Sequence, residues 1–447
     1  MNQHKKTEEY HRRLSRSTLL SRTTQTQDHK KEADDTDPDQ EIMNLVIDNV
    51  LAPALNGFVV WVLRKAMEKR IERLYFLARD GYLMYRTAVN YVRKYDLPVE
   101  CRYLYCSRYS VRVPAYHLDE ESALSYITLG GLDVTADKIY QRAGLHTWQR
   151  KRLHDEEIIS CGKNEQIPRK ELGQVREKLR QSDLFMEFMR ENSHKAFPAY
   201  EQYLKQEGMT DKVIAALVDS GWVGSMQKEL EQSLQRLGRK EPLNGFYWGL
   251  YEIPSDMDRD FYHTYFFSPE GEIRRKTIFN NCLFETIFTA PHGMTLGYRE
   301  CGEKIEPVLS KMQPERRDRL ISIEERFVTW QERMFDQVPA KSFAEIAQYY
   351  EEERTFRAIC KNLELFMHHP TREEACAFGK MDFTDDVLET KGNKIAAGIS
   401  FRRSAWYEGS ATINRKHPKC YIALYAVYKL LLYERQRSRY MRREHIK

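Results

Sequence analysis

The segment LYFLARDGYLMYRTAVNYVRKYDLPVECRYLYCSR (residues 74–108) contains the pattern that decides the fold. Its apolar run 74–78 predicts a short buried strand, and Arg79, Asp80 and Gly81 follow as a tight polar turn. Residues 82–94 have helical spacing, and the run 101–106 predicts a second strand. A strand, a polar turn, a helix and another strand form the βαβ unit of a parallel sheet.

The same kind of pattern returns in KVIAALVDSGWVGSMQKELEQSL (residues 212–234). The run 213–218 predicts a buried strand, residues 219–224 a loop, and Ser225 the start of a helix; residues 246–250 predict one more strand. We therefore expect an α/β fold with a mostly parallel, Rossmann-like sheet, a large helical insertion and a helical C-terminal region.

The patterns along the chain divide it into four parts. Residues 1–41 are polar without apolar periodicity, which predicts a disordered tail. Residues 42–112 and 210–300 form the predicted α/β core, which opens with one or two helices broken near Pro53 and Gly57. Residues 113–209 form the predicted helical insertion, and residues 301–447 the predicted helical C-terminal region with a basic tail.

Composition and charge exclude several classes of protein. With 41% hydrophobic and 31% charged residues among 447, the chain is neither fibrous nor wholly disordered. The net charge of +5 equals the excess of the last nineteen residues, where seven Lys and Arg face two Glu. Because the body of the chain is neutral overall, we expect no nucleic-acid partner.

Cysteine usage and hydropathy indicate the compartment. The eight cysteines include no CxxC pair and the 13 histidines no HExxH motif, so we expect free thiols in a reducing cytoplasm. No apolar signal core precedes the folded region. Residues 420–433 form an apolar stretch before the basic tail, and two interpretations stay open: a terminal helix docked on the domain, or peripheral contact of 420–447 with the inner face of the membrane.

The two predicted loops at the strand ends carry residues suited to a phosphorylated ligand. Carboxyl ends of parallel strands meet at one edge of a sheet, where ligands bind. Arg79 would clamp a phosphate, with Gly81 beside it in the substrate-binding loop, and Asp80 and Asp219 would hold sugar hydroxyls, a divalent ion such as Mg²⁺, or a proton. Backbone and hydroxyl groups of the second loop would also face phosphate, namely those of Ser220, Gly221, Gly224 and Ser225. The alternative is structural: Gly81 and Gly221 make turns, and Asp219 caps a helix.

A third segment, FETIFTAPHGMTLGY (residues 284–298), adds candidates. Pro291 and Gly293 force a turn at His292, whose imidazole would serve as a general acid or base. Glu285 would enter the same site and contact substrate. The alternative for His292 is a loop histidine bonded to backbone.

These stretches resemble a bacterial family associated with surface-polysaccharide loci and described as hydrolases of the haloacid dehalogenase superfamily. The resemblance covers roughly residues 42–410 and rests on the segments above, on GFVVWVL (57–63), and more weakly on DFTDD (382–386) and WYEGS (406–410). The nucleophile motif of dehalogenase-type phosphatases needs a second acid two residues after the first, whereas Tyr82 follows Asp80 and Gly221 follows Asp219 at that spacing. This departure argues against aspartyl-phosphate hydrolysis.

The order of the segments is also similar to type I phosphoribosyltransferases. That similarity implies a pyrophosphate loop at 74–81, a strand ending near Arg108, and a ribose-phosphate loop within 213–225, although Ser220 stands in place of a second acid. Together the patterns favour a transferase that binds a phosphorylated sugar or sugar nucleotide, acting by glycosyl, phosphoribosyl or phosphoryl transfer. The alternatives are a non-catalytic partner or regulator of a glycosyltransferase, and a dehalogenase-like hydrolase.

Overall fold

The computed structural model describes residues 2–24, 37–130, 134–383, 393–396 and 404–445. Part of the predicted disordered tail (25–36), part of the DFTDD segment (384–386) and the last two residues of the basic tail lie outside this range.

The centre of the fold is a five-stranded, all-parallel sheet in the order β2-β1-β3-β4-β5, which confirms the predicted α/β, Rossmann-like class. The strands are β1 (Arg73–Leu77), β2 (Glu100–Leu104), β3 (Ala215–Trp222), β4 (Asn244–Leu250) and β5 (Tyr262–Phe267). Four of them were expected from the sequence. The strand β5 was missed because its segment, YHTYFF, is aromatic and partly polar rather than a continuous aliphatic run.

Alternate side chains of the strands enter two separate cores, as the period of two along a strand requires. Leu74 and Phe76 of β1 belong to the larger core, whereas Tyr75 and Leu77 belong to the core on the opposite face. All four side chains are at most 2% exposed. A sheet covered on both faces explains why these strands read as continuous apolar runs.

Helices cover both faces. The order along the chain is α1 (Gln3–Leu14), α2 (Leu20–Thr24), α3 (Pro38–Val46), α4 (Ala52–Glu68), α5 (Gly81–Tyr95), α6 (Arg108–Arg112), α7 (Glu120–Ile127), α8 (Ala136–Arg142), α9 (Thr147–Asp155), α10 (Leu172–Gln181), α11 (Asp183–Gln206), α12 (Ser225–Arg236), α13 (Ile273–Ile278), α14 (Asn281–Phe288), α15 (Pro314–Gln337), α16 (Phe343–Glu351), α17 (Glu353–Met367), α18 (Arg372–Gly379), α19 (Tyr407–Asn414) and α20 (Pro418–His445). Helices α4, α5, α15 and α17 contribute to the larger core, and α11 and α12 to the core on the other face. Outside the main sheet there are two antiparallel strand pairs: β6 (Thr295–Cys301) with β7 (Lys304–Leu309), and β8 (Asp382–Phe383) with β9 (Asn393–Lys394).

The segment between β2 and β3 is helical and has a core of its own. Helices α7 to α11 bury side chains such as Leu124, Ile139, Leu153 and Met189 in a cluster that does not include sheet residues. Helix α11 links this cluster to the sheet, because Tyr200 and Tyr203 near its C-terminus lie in the core under β1 and β3. The expected division at residue 300 falls inside β6, so it cuts through the β6–β7 hairpin.

A continuous helical run, Pro38–Glu68, crosses the larger core. It consists of α3, a π-helical turn at Ile47–Leu51 and α4. The expected break does not occur, although Pro53 follows the π-helical turn directly and has no N–H to donate to it. The Asn49 oxygen, four residues before Pro53, instead accepts a hydrogen bond from Asn362 Nδ2 of α17 at 3.0 Å. By length and composition this run would span a membrane, but 89% of its apolar window is buried inside the protein, as expected of a core helix.

The N-terminal segment differs from the prediction of a disordered tail. Residues 2–24 contain α1 and α2, and Leu14, Leu19 and Leu20 are fully buried. The ammonium of Lys6 forms an ion pair with Glu374 of α18, both side chains being fully buried, and the Tyr10 hydroxyl donates to the same carboxylate at 2.9 Å. The polar composition of this segment predicted disorder. That prediction was wrong for residues 2–24 because the partners that order them lie more than 300 residues further along the chain.

The buried Lys6–Glu374 pair supports a prediction about stability. We expect Glu374→Gln to lower the free energy of unfolding by about 3–5 kcal/mol, because it leaves the Lys6 ammonium buried without its counter-charge. Urea denaturation followed by circular dichroism measures this, with Glu373→Gln as the control at the exposed neighbouring carboxylate. The apolar double variant Lys6→Met with Glu374→Leu should recover most of the loss. Equal midpoints for Glu374→Gln and Glu373→Gln would contradict the prediction.

Candidate functional site

The candidate site lies at the carboxyl edge of β1 and β3, where the strand order reverses. The chain leaves β1 for β2 on one side and continues from β3 to β4 and β5 on the other, so the connections diverge between β1 and β3. In open parallel sheets this switch point is where ligands bind. Arg79 and Asp80 follow β1 directly, joined to it through a cis peptide bond between Ala78 and Arg79.

The second predicted loop is mostly strand. Asp219 pairs with Tyr247 and Gly221 with Gly249 of β4, so β3 extends to Trp222 and only Val223 and Gly224 precede α12. The apolar run ends at Val218, but hydrogen bonding to β4 continues beyond it, and this pairing with a distant strand is not visible in the local sequence.

A hydrogen bond between the two strand ends holds the site together. The Ser220 hydroxyl, 2% exposed, donates to Oδ2 of Asp80 at 2.7 Å. Asp80 occupies the N-cap position of α5, yet its side chain makes no capping bond there. Asp219 lies within β3 and caps no helix. The helix-cap alternative for Asp219 is therefore wrong, and Asp80 is directed towards β3 rather than towards its own helix.

Three carboxyl groups meet around this bond. Burial, reinforced by the charge of Asp80, raises the pKa of Asp219 to about 7. Burial and the charges of Asp80 and Asp219 raise the pKa of Glu285, on α14, to about 8. Burial also raises the pKa of Asp80, although its hydrogen bond from Ser220 and the charge of Arg79 oppose the shift. Carboxyl groups that titrate near neutral pH are suited to general acid and base catalysis.

Trp222 fixes the position of Glu285. Its indole N–H donates to Oε1 of Glu285 at 2.5 Å, and its ring lies against Phe279 and Phe284, with centroids 5.5 and 6.0 Å away. The backbone of Trp222 has φ of +71°, a left-handed conformation that a bulky residue rarely adopts. The surrounding contacts hold the residue in this conformation, as is common next to functional groups.

Arginines supply positive charge beside the carboxyl groups. Burial and the neighbouring charge of Arg316, from the first turn of α15, lower the pKa of Arg79 to about 10. Arg108, the exposed first residue of α6, is close enough for its charge to lower the pKa values of Asp80, Asp219 and Glu285. The guanidinium groups of Arg79 and Arg316 repel each other, and an anion bound between them would relieve that repulsion. Phosphate suits this position because its oxygens match the forked N–H groups of guanidinium.

His292 joins the site through Tyr103. Because a carbonyl oxygen only accepts, His292 Nδ1–H donates to the Gly293 oxygen at 2.8 Å, and Nε2 accepts from the Tyr103 hydroxyl at 2.8 Å. Burial, with a contribution from the charge of Arg79, lowers the pKa of His292, so the ring is neutral at pH 7. The backbone bond of the alternative interpretation is therefore present, and a second bond directs the ring to the site.

Aromatic rings form a wall beside these groups. The Tyr82, Tyr103 and Tyr105 rings surround His292, with centroids 5.0–6.4 Å from the imidazole, and all are partly exposed. Aromatic walls with a few convergent polar groups are typical of sites that bind small molecules.

Some residues that were predicted to contact phosphate have other roles in the structure. Gly221 has φ of +105° and lies so close to β4 that a Cβ would be 2.5 Å from the Gly249 oxygen. At Gly224, with φ of +65°, a Cβ would be 2.8 Å from the Tyr262 ring of β5. Strand packing thus accounts for both glycines, and Gly224 has its contacts on the β4–β5 side. Ser225 follows as the first residue of α12. Gly81 begins α5 directly against β1, where a Cβ would be 3.1 Å from the Phe76 carbonyl carbon.

The donor set suits a hard cation only in part. In the described residues no group of three or more His, Cys, Asp or Glu side chains is placed to hold a metal ion. Magnesium usually takes one or two carboxylates and completes its shell with water and substrate phosphate. Asp80, with or without Asp219, meets that requirement, and the charge of a bound cation would oppose the shift that burial and the charge of Asp80 cause in the pKa of Asp219.

Sequence reasoning found Arg79, Asp80, Asp219, Ser220 and Glu285 but missed three groups that complete the site. Trp222 stands inside the VDSGWVGS motif, so its position there was the available signal. Tyr103 precedes the end of β2, on the same sheet edge. Arg316 lies in the charged segment PERRDRL and gave no local signal, because only packing of α15 brings it to Arg79.

The fold is that of an α/β protein, and its candidate ligand site lies at the switch point of a parallel sheet. No protein-family model matches the chain, and no curated protein matches it significantly.

The raised pKa of Asp219 predicts how stability depends on pH. The folded chain holds this proton more tightly than the unfolded chain, so the stability of the wild type falls as pH rises from about 4 to 7. Asp219→Asn removes this penalty. We expect its stability advantage over the wild type to widen by about 2–3 kcal/mol between pH 5 and pH 8. Urea denaturation at both pH values measures this, with Asp155→Asn in the exposed end of α9 as the control.

The Trp222–Glu285 bond predicts a spectroscopic titration. Ionisation of Glu285 places a negative charge against the indole N–H, so tryptophan emission should show a step between about pH 7 and 9, around the raised pKa of Glu285. The step should be absent in both Glu285→Gln and Trp222→Phe. A step that persists in Glu285→Gln would assign the titration to another group.

Proposed function

We propose that this chain is an enzyme that binds a phosphorylated sugar or sugar nucleotide and transfers its glycosyl group to a hydroxyl acceptor. The observation that carries the proposal is that Arg79, with Arg316 beside it, meets a cluster of three carboxyl groups of raised pKa at the β1–β3 switch point. The arginines would bind the phosphate, and the carboxyl groups would handle the proton.

The roles of the residues follow from their charges. Asp219, with a pKa raised to about 7, titrates near neutral pH, and its ionised form would accept the proton of the acceptor hydroxyl. The acceptor oxygen would form its bond to the anomeric carbon while the bond from that carbon to the phosphate oxygen breaks. The departing phosphate carries the electron pair, and Arg79 and Arg316 would stabilise its charge. Asp80, held by Ser220, would bind sugar hydroxyls, or would hold a Mg²⁺ ion that supplies positive charge, and in either case Asp219 would stay available for the proton.

The remaining predicted residues would bind or position the donor. The tyrosines around His292 would contact the sugar or base ring, and His292 would exchange a proton through the Tyr103 hydroxyl. Arg108, exposed at the mouth of the site, would meet the outer phosphate. The resemblance of the motif segments to a family of surface-polysaccharide loci supports bacterial polysaccharide synthesis as the pathway and a cytoplasmic location.

A ligand screen with matched variants tests the proposal. Sugar phosphates, sugar nucleotides and phosphoribosyl pyrophosphate are added with and without Mg²⁺, and the shift of the unfolding midpoint is measured. A ligand at a thousand times its dissociation constant stabilises the chain by about 4 kcal/mol. We expect Arg79→Gln to weaken the binding constant about 10- to 100-fold, since a charged hydrogen bond is lost. Arg93→Gln, an exposed arginine at the far end of α5, is the matched control and should bind as the wild type does.

Turnover separates the proposal from its alternatives. Mixing the stabilising donor with hydroxyl acceptors and following release of phosphate or nucleotide by chromatography should show product for the wild type, and at least 100-fold less for Asp219→Asn. Binding without turnover would indicate a non-catalytic partner of a glycosyltransferase. Release of phosphate without an acceptor would indicate a hydrolase. No stabilisation by any of these ligands would contradict the proposed function.

A further inference from the structure

Helix α20 has one face fixed to the protein. The buried ammonium of Lys429 bonds to the buried carboxylate of Glu408 on α19 at 2.7 Å. Further along, the ring of Tyr433 stacks on Tyr251, with centroids 5.3 Å apart and planes 9° from parallel. The Arg259 guanidinium lies over the ring of Tyr440, 4.2 Å from its centroid. These contacts extend over three turns, so the rotation of α20 about its axis is fixed.

The opposite face of α20 is apolar and exposed. Leu424, Val427, Tyr428 and Leu431 are 68%, 56%, 58% and 65% exposed. Their spacing of three, four and seven residues places them in one stripe along the helix. Single exposed apolar residues are common on soluble proteins, but a contiguous stripe on a fixed helix indicates a surface that binds a partner.

The same stripe continues as a basic surface. At about 100° per residue, Arg435 and Arg442 point within about 20° of the direction of Leu424, and Arg439 within about 60°. All three side chains are exposed. The outward face of α20 therefore changes along its length from apolar (420–431) to basic (435–442).

The distribution of charge on the outward face of α20 indicates which kind of partner would bind there. In an antiparallel pair of α20 helices, the arginines of one copy would lie on the leucines of the other. In a parallel pair, arginine would meet arginine, and like charges repel. A bilayer with anionic headgroups satisfies both halves at once, because the apolar side chains enter the acyl boundary while the guanidinium groups stay among phosphates.

We propose that the outward face of α20 docks the protein on an anionic lipid bilayer, with the helix lying in the plane of the interface. This surface is distinct from the phosphosugar site, and the proposal does not depend on the activity proposed above.

Vesicle co-sedimentation with the full chain is the first test. The chain should bind phosphatidylcholine vesicles containing 30% phosphatidylglycerol at low salt, and bind pure phosphatidylcholine weakly. Replacing Arg435, Arg439 and Arg442 by Gln should weaken binding to the anionic vesicles about 100-fold, at about fivefold for each arginine. The control removes the same charge from exposed sites on other helices, by Arg93→Gln, Arg354→Gln and Arg372→Gln, and should reduce binding much less.

The apolar half of the stripe has its own variant. Leu424→Ser with Leu431→Ser should reduce binding to anionic vesicles at least tenfold while leaving the unfolding midpoint unchanged, because both side chains are exposed in the free protein.

Cysteine labelling locates the contact. Cys420 begins the stripe, and Cys301 is the other exposed thiol, on the β6–β7 hairpin. A polarity-sensitive fluorophore on Cys420, in the Cys301→Ser chain, should shift to the blue when anionic vesicles are added. The same fluorophore on Cys301, in the Cys420→Ser chain, should not shift.

Three results would overturn the proposal: no binding to anionic vesicles at low salt, equal loss of binding in the two triple-arginine variants, or a Cys420 label that does not respond. Sedimentation velocity adds a fourth. A dimer that dissociates on Leu424→Ser and Leu431→Ser, in a chain that does not bind vesicles, would assign the face to a second copy instead.

Discussion

The parallel pairing of β1 with β3 is the constraint on which the rest of the structure depends. Residues 73–76 align with residues 215–218, so two strands separated by about 140 positions become neighbours at the centre of the sheet. The helical segment between β2 and β3 forms its own core, and the pairing of β1 with β3 continues without a shift in register. Because the chain diverges on either side of this pair, its carboxyl edge is open, and the Asp80–Ser220 hydrogen bond forms there.

The electrostatics of the site follow from that proximity. Asp80 lies at the N-cap of α5, directly after the β1 turn, while Asp219 lies in β3 and Glu285 in α14, so only the fold brings the three together. Burial raises the pKa of all three, and the charge of Asp80 raises the pKa values of Asp219 and Glu285 further. The charge of Arg108 opposes all three shifts, and that of Arg79 opposes the shift of Asp80. A buried cluster of like charges opposes folding. A fold that retains such a cluster, with Trp222 in a left-handed conformation beside it, is consistent with a functional site.

The ends of the chain show how distant partners determine order. The N-terminal helix α1 is polar by composition, but its Lys6 and Tyr10 share one buried carboxylate of α18. The C-terminal helix α20 is held by Lys429 and Tyr433 and exposes its leucines. The two interpretations of residues 420–433 are therefore compatible, since the helix is docked on the protein through one face and leaves the other available.

The sequence by itself determined the βαβ unit, the four aliphatic strands and the residues at the strand ends, because apolar periodicity and turn residues are local properties. It thus located Arg79, Asp80, Asp219, Ser220 and Glu285 as candidates. Tertiary structure alone decided that β3 continues to Trp222, that residues 2–24 form helices packed on the core, and that Arg316 and Tyr103 lie at the candidate site. Each of these outcomes depends on hydrogen bonds, burial or charges that involve residues far along the chain. A local sequence pattern does not show which distant residues will come into contact.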